Sequence, residues 1–321
     1  MEIFIQSENV YLDYHEGTIL VVNGEKRTPV AFKQIERIWI HPSTSIAAQL
    51  LVKLLEVQIE LVICSGEGSP LGTLSPWVNP IGARARRRQL LFANSPDAQR
   101  LAATWIVEKQ VRQYQLLAMH LDQSGLLNFE KLKAIALNNQ AQLELQLPEL
   151  TFVPELQEAV FGRLFFGLLS DLLPVPFQFE KRSRQPALDY FNAGLNYGYG
   201  IFYGMLQGQV QRVGLDPYIG FFHKERDGNP VLVYDLIESF RPWVEQACLH
   251  LAKSAQWKAP EDFALQPEGG YWLGPTGKEK LIKAIFEILE EPGAQPKTSK
   301  QTEMFQRVKE LQQLIHHLPI D

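Results

Sequence analysis

Short runs rich in β-branched and aromatic residues open the chain. Residues 2–5, 10–14 and 18–23 each have the length and composition of a strand, separated by Gln6-Ser7-Glu8-Asn9 and His15-Glu16-Gly17 as turns. Asn23-Gly24 is a turn pair suited to positive φ. Residues 35–40 continue the pattern, with Ile38 and Ile40 on one face. The period then changes: Ile46, Leu50, Leu51, Leu54 and Leu55 fall at helical spacing behind an N-cap at Ser43, Thr44 or Ser45. The run 59–64, apolar except for Glu60, predicts a buried strand.

Between residues 66 and 80 the pattern breaks. Gly66, Gly68, Pro70, Gly72, Pro76 and Pro80 are expected to resist both regular structures and to mark a domain boundary. Beyond it the apolar spacing is helical. Ser95 caps a helix with Pro96 at its first position, running to about residue 120 with Leu101, Trp105, Val111 and Leu117 inward. Further helices are expected near 129–146, 156–173, 187–213, 236–254 and 302–318, and Thr276 with Glu279 fits a capping box opening another. The segment 222–232 reads as a polar loop. The expected fold is therefore α+β: a β-rich domain over 1–76, then a larger all-α domain over 77–321.

Composition changes this picture little. The 45% apolar content suits a globular protein. No stretch approaches the roughly 20 apolar residues of a membrane span, and no basic leader opens the chain, so a cytoplasmic protein without a membrane partner is expected. Cys64 and Cys248 sit among apolar residues and read as buried thiols in a reducing compartment.

Charge matters more locally than in its net value of −5. Residues 1–80 carry 5 Lys and Arg against 9 Asp and Glu, which fits a surface that meets protein. Basic residues cluster at Arg84, Arg86, Arg87 and Arg88 and at Lys181, Arg182 and Arg184. Taken alone, either run reads first as a solvated helix face or linker and second as a phosphate-binding patch.

Walker, Rossmann, paired-cysteine and nucleophile-elbow patterns are all missing from the sequence. His223 differs from the other histidines in its neighbours: a polar loop follows it, and the chain then returns through an apolar run into Asp235-Leu236-Ile237-Glu238. Carboxylates three apart share a helix face, and with an imidazole they can bind a divalent ion. Asp235 and Glu238 serve equally well as a helix cap with its reciprocal partner.

Three stretches together resemble a known family: Leu195-Asn196-Tyr197-Gly198-Tyr199-Gly200, Gly214-Leu215-Asp216-Pro217-Tyr218-Ile219-Gly220-Phe221-Phe222-His223, and Tyr234-Asp235-Leu236-Ile237-Glu238-Ser239-Phe240-Arg241-Pro242. In order and spacing they resemble the CRISPR-associated adaptation endonuclease/integrase ("Cas-one") family. Ile35-Glu36-Arg37-Ile38, Arg86-Arg87-Arg88-Gln89 and Gly269-Gly270-Tyr271-Trp272-Leu273 extend the likeness over the chain.

The resemblance implies a Mg²⁺ or Mn²⁺ site formed by Glu158, His223 and Glu238, with Asp235 beside it. Ala159 stands where the family has glycine; Arg163 and Phe166 fall in register when Glu158, rather than Glu155, is the ligand. It implies phosphoryl transfer in which the 3′-hydroxyl of captured double-stranded DNA joins CRISPR repeat DNA. Arg84, Arg86, Arg87, Arg88, Lys181, Arg182, Arg184, Lys224 and Arg241 would hold phosphates. A homodimer and a ferredoxin-like "Cas-two" partner are also implied. A structure-specific repair nuclease and a catalytically silent DNA-binding scaffold are the competing readings.

Overall fold

The computed structural model describes residues 2–33, 35–66, 68, 70–75, 83–121, 127–144, 154–223, 227–267, 269–295 and 297–318, those of 154–157 without their side chains. The chain divides into two compact units, Met1–Asn79 and Pro80–Asp321.

The first unit holds two four-stranded sheets. One is ordered β1 (Glu2–Ile5), β5 (Arg37–Ile40), β7 (Glu60–Cys64) and β8 (Pro70–Leu74). The other is ordered β4 (Lys26–Ala31), β3 (Thr18–Asn23), β2 (Tyr11–His15) and β6 (Ser45–Ile46). Helix α1 (Ala48–Glu56) supplies Leu50 and Leu54 to a shared core with Leu12, Ile19, Ile38 and Leu61. The β2–β3 hairpin turns through Glu16 and Gly17, both at positive φ, the handedness a two-residue hairpin loop requires.

Parallel pairing of β1, β5 and β7 places Glu2, Arg37 and Glu60 side by side. Arg37 donates from Nη1 to Glu2 Oε1 at 3.1 Å and from Nε to Glu60 Oε2 at 2.6 Å. Trp39 Nε1 donates to the other Glu2 oxygen at 2.6 Å.

Three strands of the first unit depart from the sequence expectation; β6 takes Ser45 and Ile46, expected in the cap and first turn of α1, whose N-cap is Ala47. Pro70–Leu74 is a strand despite its Pro and Gly, because an edge position tolerates both: Pro70 is its first residue, and among the described residues β7 is its one strand neighbour. Lys26–Ala31 is a largely exposed edge strand, so it carries no apolar alternation.

The second unit is helical: α2 (Ala83–Ala93), α3 (Pro96–Ala118), α4 (Leu127–Glu144), α5 (Pro154–Asp171), α6 (Tyr190–Val213), α7 (Val231–Ile237), α8 (Arg241–Lys253), α9 (Pro275–Glu290) and α10 (Lys300–His316). A short hairpin, β9 (Phe263–Leu265) and β10 (Tyr271–Leu273), interrupts it. Helix α6 is buried along most of its length. A Cβ on Gly194 would come within 2.3 Å of Trp257, and one on Gly198 within 2.4 Å of Val244. In the Tyr-Gly-Tyr-Gly stretch, Gly198 is thus a site of close approach to α8, whereas a Cβ on Gly200 would meet nothing within 4 Å. Among the described residues no helix is long and apolar enough to cross a membrane.

Local chemistry corrects three expectations here. The single helix expected over 236–254 is α7, a 3-10 turn at Glu238–Phe240, and α8; Pro242 sits in the first turn of α8, where its missing N–H costs nothing. Asp235 lies inside α7 and caps nothing. Thr276 is no N-cap either: Gly274 holds that position, and the Thr276 hydroxyl donates to Asp262 Oδ1 at 2.8 Å.

Candidate active site

Lys109 organises the centre of the helical unit. It lies midway along α3, only 6% exposed, on the stripe Trp105, Lys109, Arg112 and Leu116 that turns inward at i, i+4, i+7 and i+11. Its ammonium donates to Glu158 Oε1 on α5 and, at 2.5 Å, to Glu238 Oε2 in the turn after α7. Two carboxylates from distant parts of the chain therefore share one cation.

Glu238 is 3% exposed and accepts a second cation: Arg241 Nε donates to its Oε1 at 2.8 Å. Burial pushes its pKa up, but Arg241 and Lys109 outweigh that and hold it at about 2. Burial likewise works against the Lys109 proton, and the facing carboxylates reverse the effect, leaving its pKa raised. Arg241 is fixed in turn by donating from Nη2 to the Tyr203 hydroxyl at 2.9 Å, with its guanidinium 4.7 Å from the Tyr199 ring centre. Arg112, one turn beyond Lys109, donates from Nη1 to the Ser239 carbonyl at 2.9 Å and from Nη2 to Glu303 Oε1 at 2.6 Å. The turn carrying Glu238 is thereby tied to α3 and, through Glu303, to α10.

The His223 side is built around Asp235, 2% exposed. Its Oδ2 accepts the backbone N–H groups of Phe221 at 2.6 Å and Phe222 at 3.1 Å; its Oδ1 accepts that of His223 at 3.0 Å. The same Oδ1 lies 2.6 Å from His223 Nδ1. In a neutral ring, donation from Nδ1 to such a partner leaves the lone pair on Nε2. The His223 side chain is 35% exposed. Gly220 belongs to this design, since a Cβ there would press on Asp235 Oδ2 at 2.9 Å.

The structure brings Glu158 and Glu238 together and pairs His223 with Asp235. It does not gather Glu158, Glu238 and His223 at one point: among the described residues no three His, Cys, Asp or Glu side chains are close enough to hold a metal. Lys109 takes the carboxylate oxygens, and His223 is turned to Asp235. Of the arginines expected to hold phosphates, Arg84, Arg86 and Arg87 are exposed on α2 and Arg88 is half-buried. Lys181 and Arg184 are exposed as well.

Arg182 and Arg241 are already committed within the protein. Arg182 donates to Asn192 Oδ1 at 2.7 Å and Asn196 Oδ1 at 2.5 Å and lies over Tyr199; Arg241 holds Glu238. Lys224 and the side chain of Glu155 fall outside the described residues.

Behind the site lies a further acid. Glu245 Oε1 accepts the Tyr199 hydroxyl at 2.9 Å and Gln113 Nε2 at 2.7 Å, while its Oε2 has no hydrogen-bond partner among the described residues. Burial outweighs those two hydrogen bonds and raises its pKa from 4.5 to about 7. The folded chain thus keeps a proton that the unfolded chain has lost, and stability falls as pH rises through that window. Glu245→Gln should remove the fall and stabilise the chain at pH 8 by roughly 3 kcal/mol, at about 1.4 kcal/mol per unit. Melting temperatures of both proteins at pH 5 and pH 8 check this; parallel curves would refute it.

The fold joins a β-rich unit to a helical unit in which the buried Glu238 and the partly exposed Glu158 are balanced by cations. The family model described as CRISPR associated protein Cas1 matches residues 3–287. A CRISPR-associated endonuclease Cas1 of Pyrobaculum aerophilum is 30% identical over 263 residues, 80% of this chain and 84% of that one.

Among solved structures, a casposase bound to its integration product matches with a TM-score of 0.79 at 20% identity, over 98% of this chain and 90% of that one. A Cas6-RT-Cas1–Cas2 complex matches with a TM-score of 0.80 at 19% identity, over 98% of this chain, which spans 35% of that one. The chain belongs to the Cas1 family of CRISPR-associated endonucleases.

Proposed function

We propose that this chain is a spacer-acquisition integrase whose reaction centre is the Glu158–Glu238 pair together with His223. The observation that carries this reading is the convergence of Glu158 and Glu238 on one cation, Lys109, from elements far apart in sequence. Two acids already folded around positive charge and an imidazole turned to Asp235 are the ligand types a divalent ion takes, though the three are not gathered at one point among the described residues. Glu158, Glu238 and His223 would hold it. Bound Mg²⁺ or Mn²⁺ would supply Lewis-acid polarisation of the scissile phosphodiester.

The chain's own residues prepare that centre. Arg241 and Arg112 fix Glu238 and its turn, and Asp235 sets the His223 ring. In strand joining, the bond from phosphorus to the incoming 3′ oxygen forms as the bond to the repeat strand's own 3′ oxygen breaks. This exchange needs no outside energy, so positioning and charge stabilisation are the protein's task. Joining of a fragment bearing a 3′-hydroxyl to a repeat-containing duplex, absent for the same fragment ending in a 3′-deoxy nucleotide, tests it. Cleavage of branched DNA without joining would make it a repair nuclease; binding with neither would make it a scaffold.

The exposed Arg84, Arg86 and Arg87, with Lys181 and Arg184, are proposed to track backbone phosphates. Replacing the first three by alanine should weaken binding alike for unrelated duplexes. The salt slope should flatten by up to about 3, near 0.9 per phosphate contact. A loss confined to one DNA sequence in fluorescence anisotropy would contradict this. The acidic first unit suits a protein interface, so a homodimer formed there and a ferredoxin-like Cas-two partner complete the proposal, in line with the Cas1–Cas2 complex that the fold resembles. Cys64 and Cys248 are both buried and are not joined in a disulfide, which accords with a cytoplasmic setting.

A further inference from the structure

We infer that Lys109 is a built-in counter-ion that competes with the divalent metal, so that metal enters only by displacing its ammonium. The inference rests on the metal site proposed above and concerns a residue outside that ligand set.

Three observations carry it. The Lys109 ammonium takes one oxygen from each of Glu158 and Glu238, the atoms a metal would need. Arg241 takes the other Glu238 oxygen, so that carboxylate has none left over. Two acids and two cations already balance in a pocket where Lys109 and Glu238 are nearly buried, so a divalent ion arriving beside them leaves two positive charges uncompensated. Repulsion between such charges at a few ångströms is substantial at the dielectric of a protein interior. The metal and the ammonium therefore exclude each other. The Glu158 side chain, 30% exposed, is the open side of the pair. Displacement there moves a flexible lysine stem and leaves the charge on the amine.

Removing the ammonium should then strengthen metal binding, the opposite of what damage to a structural residue would do. Mn²⁺ affinity of the full chain, followed by the electron paramagnetic resonance of free Mn²⁺, is the readout. Lys109→Met and Lys109→Gln should bind Mn²⁺ at least about tenfold more tightly than the native chain, and Lys109→Arg should bind no more tightly. Without metal, the neutral variants leave two facing acids short of a cation. Their melting temperature should therefore fall, and Mn²⁺ should restore it by a larger shift than in the native chain. This readout serves even where Lys109→Met folds poorly alone.

Equal or weaker Mn²⁺ affinity in both neutral variants, with no enlarged melting shift, overturns the inference. Glu158→Gln and Glu238→Gln separate it from the site reading. If they bind Mn²⁺ as the native chain does, the metal site itself is misplaced. If they lose binding while the lysine variants gain none, only the counter-ion role fails.

Discussion

Glu158→Gln and Glu238→Gln should each lower strand joining and cleavage by at least about a hundredfold while DNA affinity stays within about twofold. Glutamine keeps the size of the side chain and its hydrogen bonding but removes the charge that would hold a metal opposite the phosphate. The binding surface is spared because the exposed arginines of α2 lie on a separate element.

The two variants differ in their cost to the fold. Glu238 is wedged between Lys109 and Arg241, so Glu238→Gln leaves both cations short of charge and should lower the melting temperature. Glu158 is partly exposed and its ion pair among the described residues is with Lys109, which makes Glu158→Gln the cleaner variant. A folded Glu158→Gln protein that joins strands at the native rate would remove Glu158 from the site.

The largest expected effect on stability lies in the first unit. Arg37→Met should cost about 3–5 kcal/mol, because it leaves Glu2 and Glu60 as neighbours across β1, β5 and β7 with no cation between them. Burial already raises the Glu2 pKa against the pull of Arg37, so loss of Arg37 should raise it further. Unfolding in urea, followed by tryptophan fluorescence, checks the figure, since the Trp39 indole N–H donates to Glu2. Adding Glu60→Leu to Arg37→Met should recover part of the loss by removing one of the stranded charges. An Arg37→Met chain as stable as the native one would mean that the three residues are solvated in solution.

Some of this was legible in the sequence and some was not, for reasons that particular residues show. The central strands of the first unit announce themselves because each has a buried face. Edge strands β4 and β8 do not, since Lys26, Arg27 and Pro29 face solvent and Pro70 and Gly72 mimic a linker. The α7 start escaped because Pro230 precedes an apolar run too short to show a helical period.

In the site, motif order pointed to Glu158, His223, Asp235 and Glu238, but not to which of them pair. Lys109 and Arg112 were missed because a lysine or arginine in a helix ordinarily reads as solvated. The available signal was their place on the Trp105–Leu116 stripe, where the surrounding residues are core. Arg182 and Arg241 misled in the opposite way: counted with a basic patch, they turn out to face asparagines, tyrosines and Glu238. Charge runs show where cations cluster, while the direction each faces depends on packing.

The link from Arg112 to Glu303 has a practical consequence for chimeras. The family model ends at residue 287, whereas α10 begins at Lys300. Helix α10 nonetheless grips α3 twice, through Arg112–Glu303 and Arg307–Glu108. A swap that transplanted residues 3–287 from a relative would set a foreign α3 against the resident α10. Unless the donor helix repeated both pairs, the turn bearing Glu238 would lose part of its support. Segments exchanged between relatives should therefore extend through α10 to residue 316.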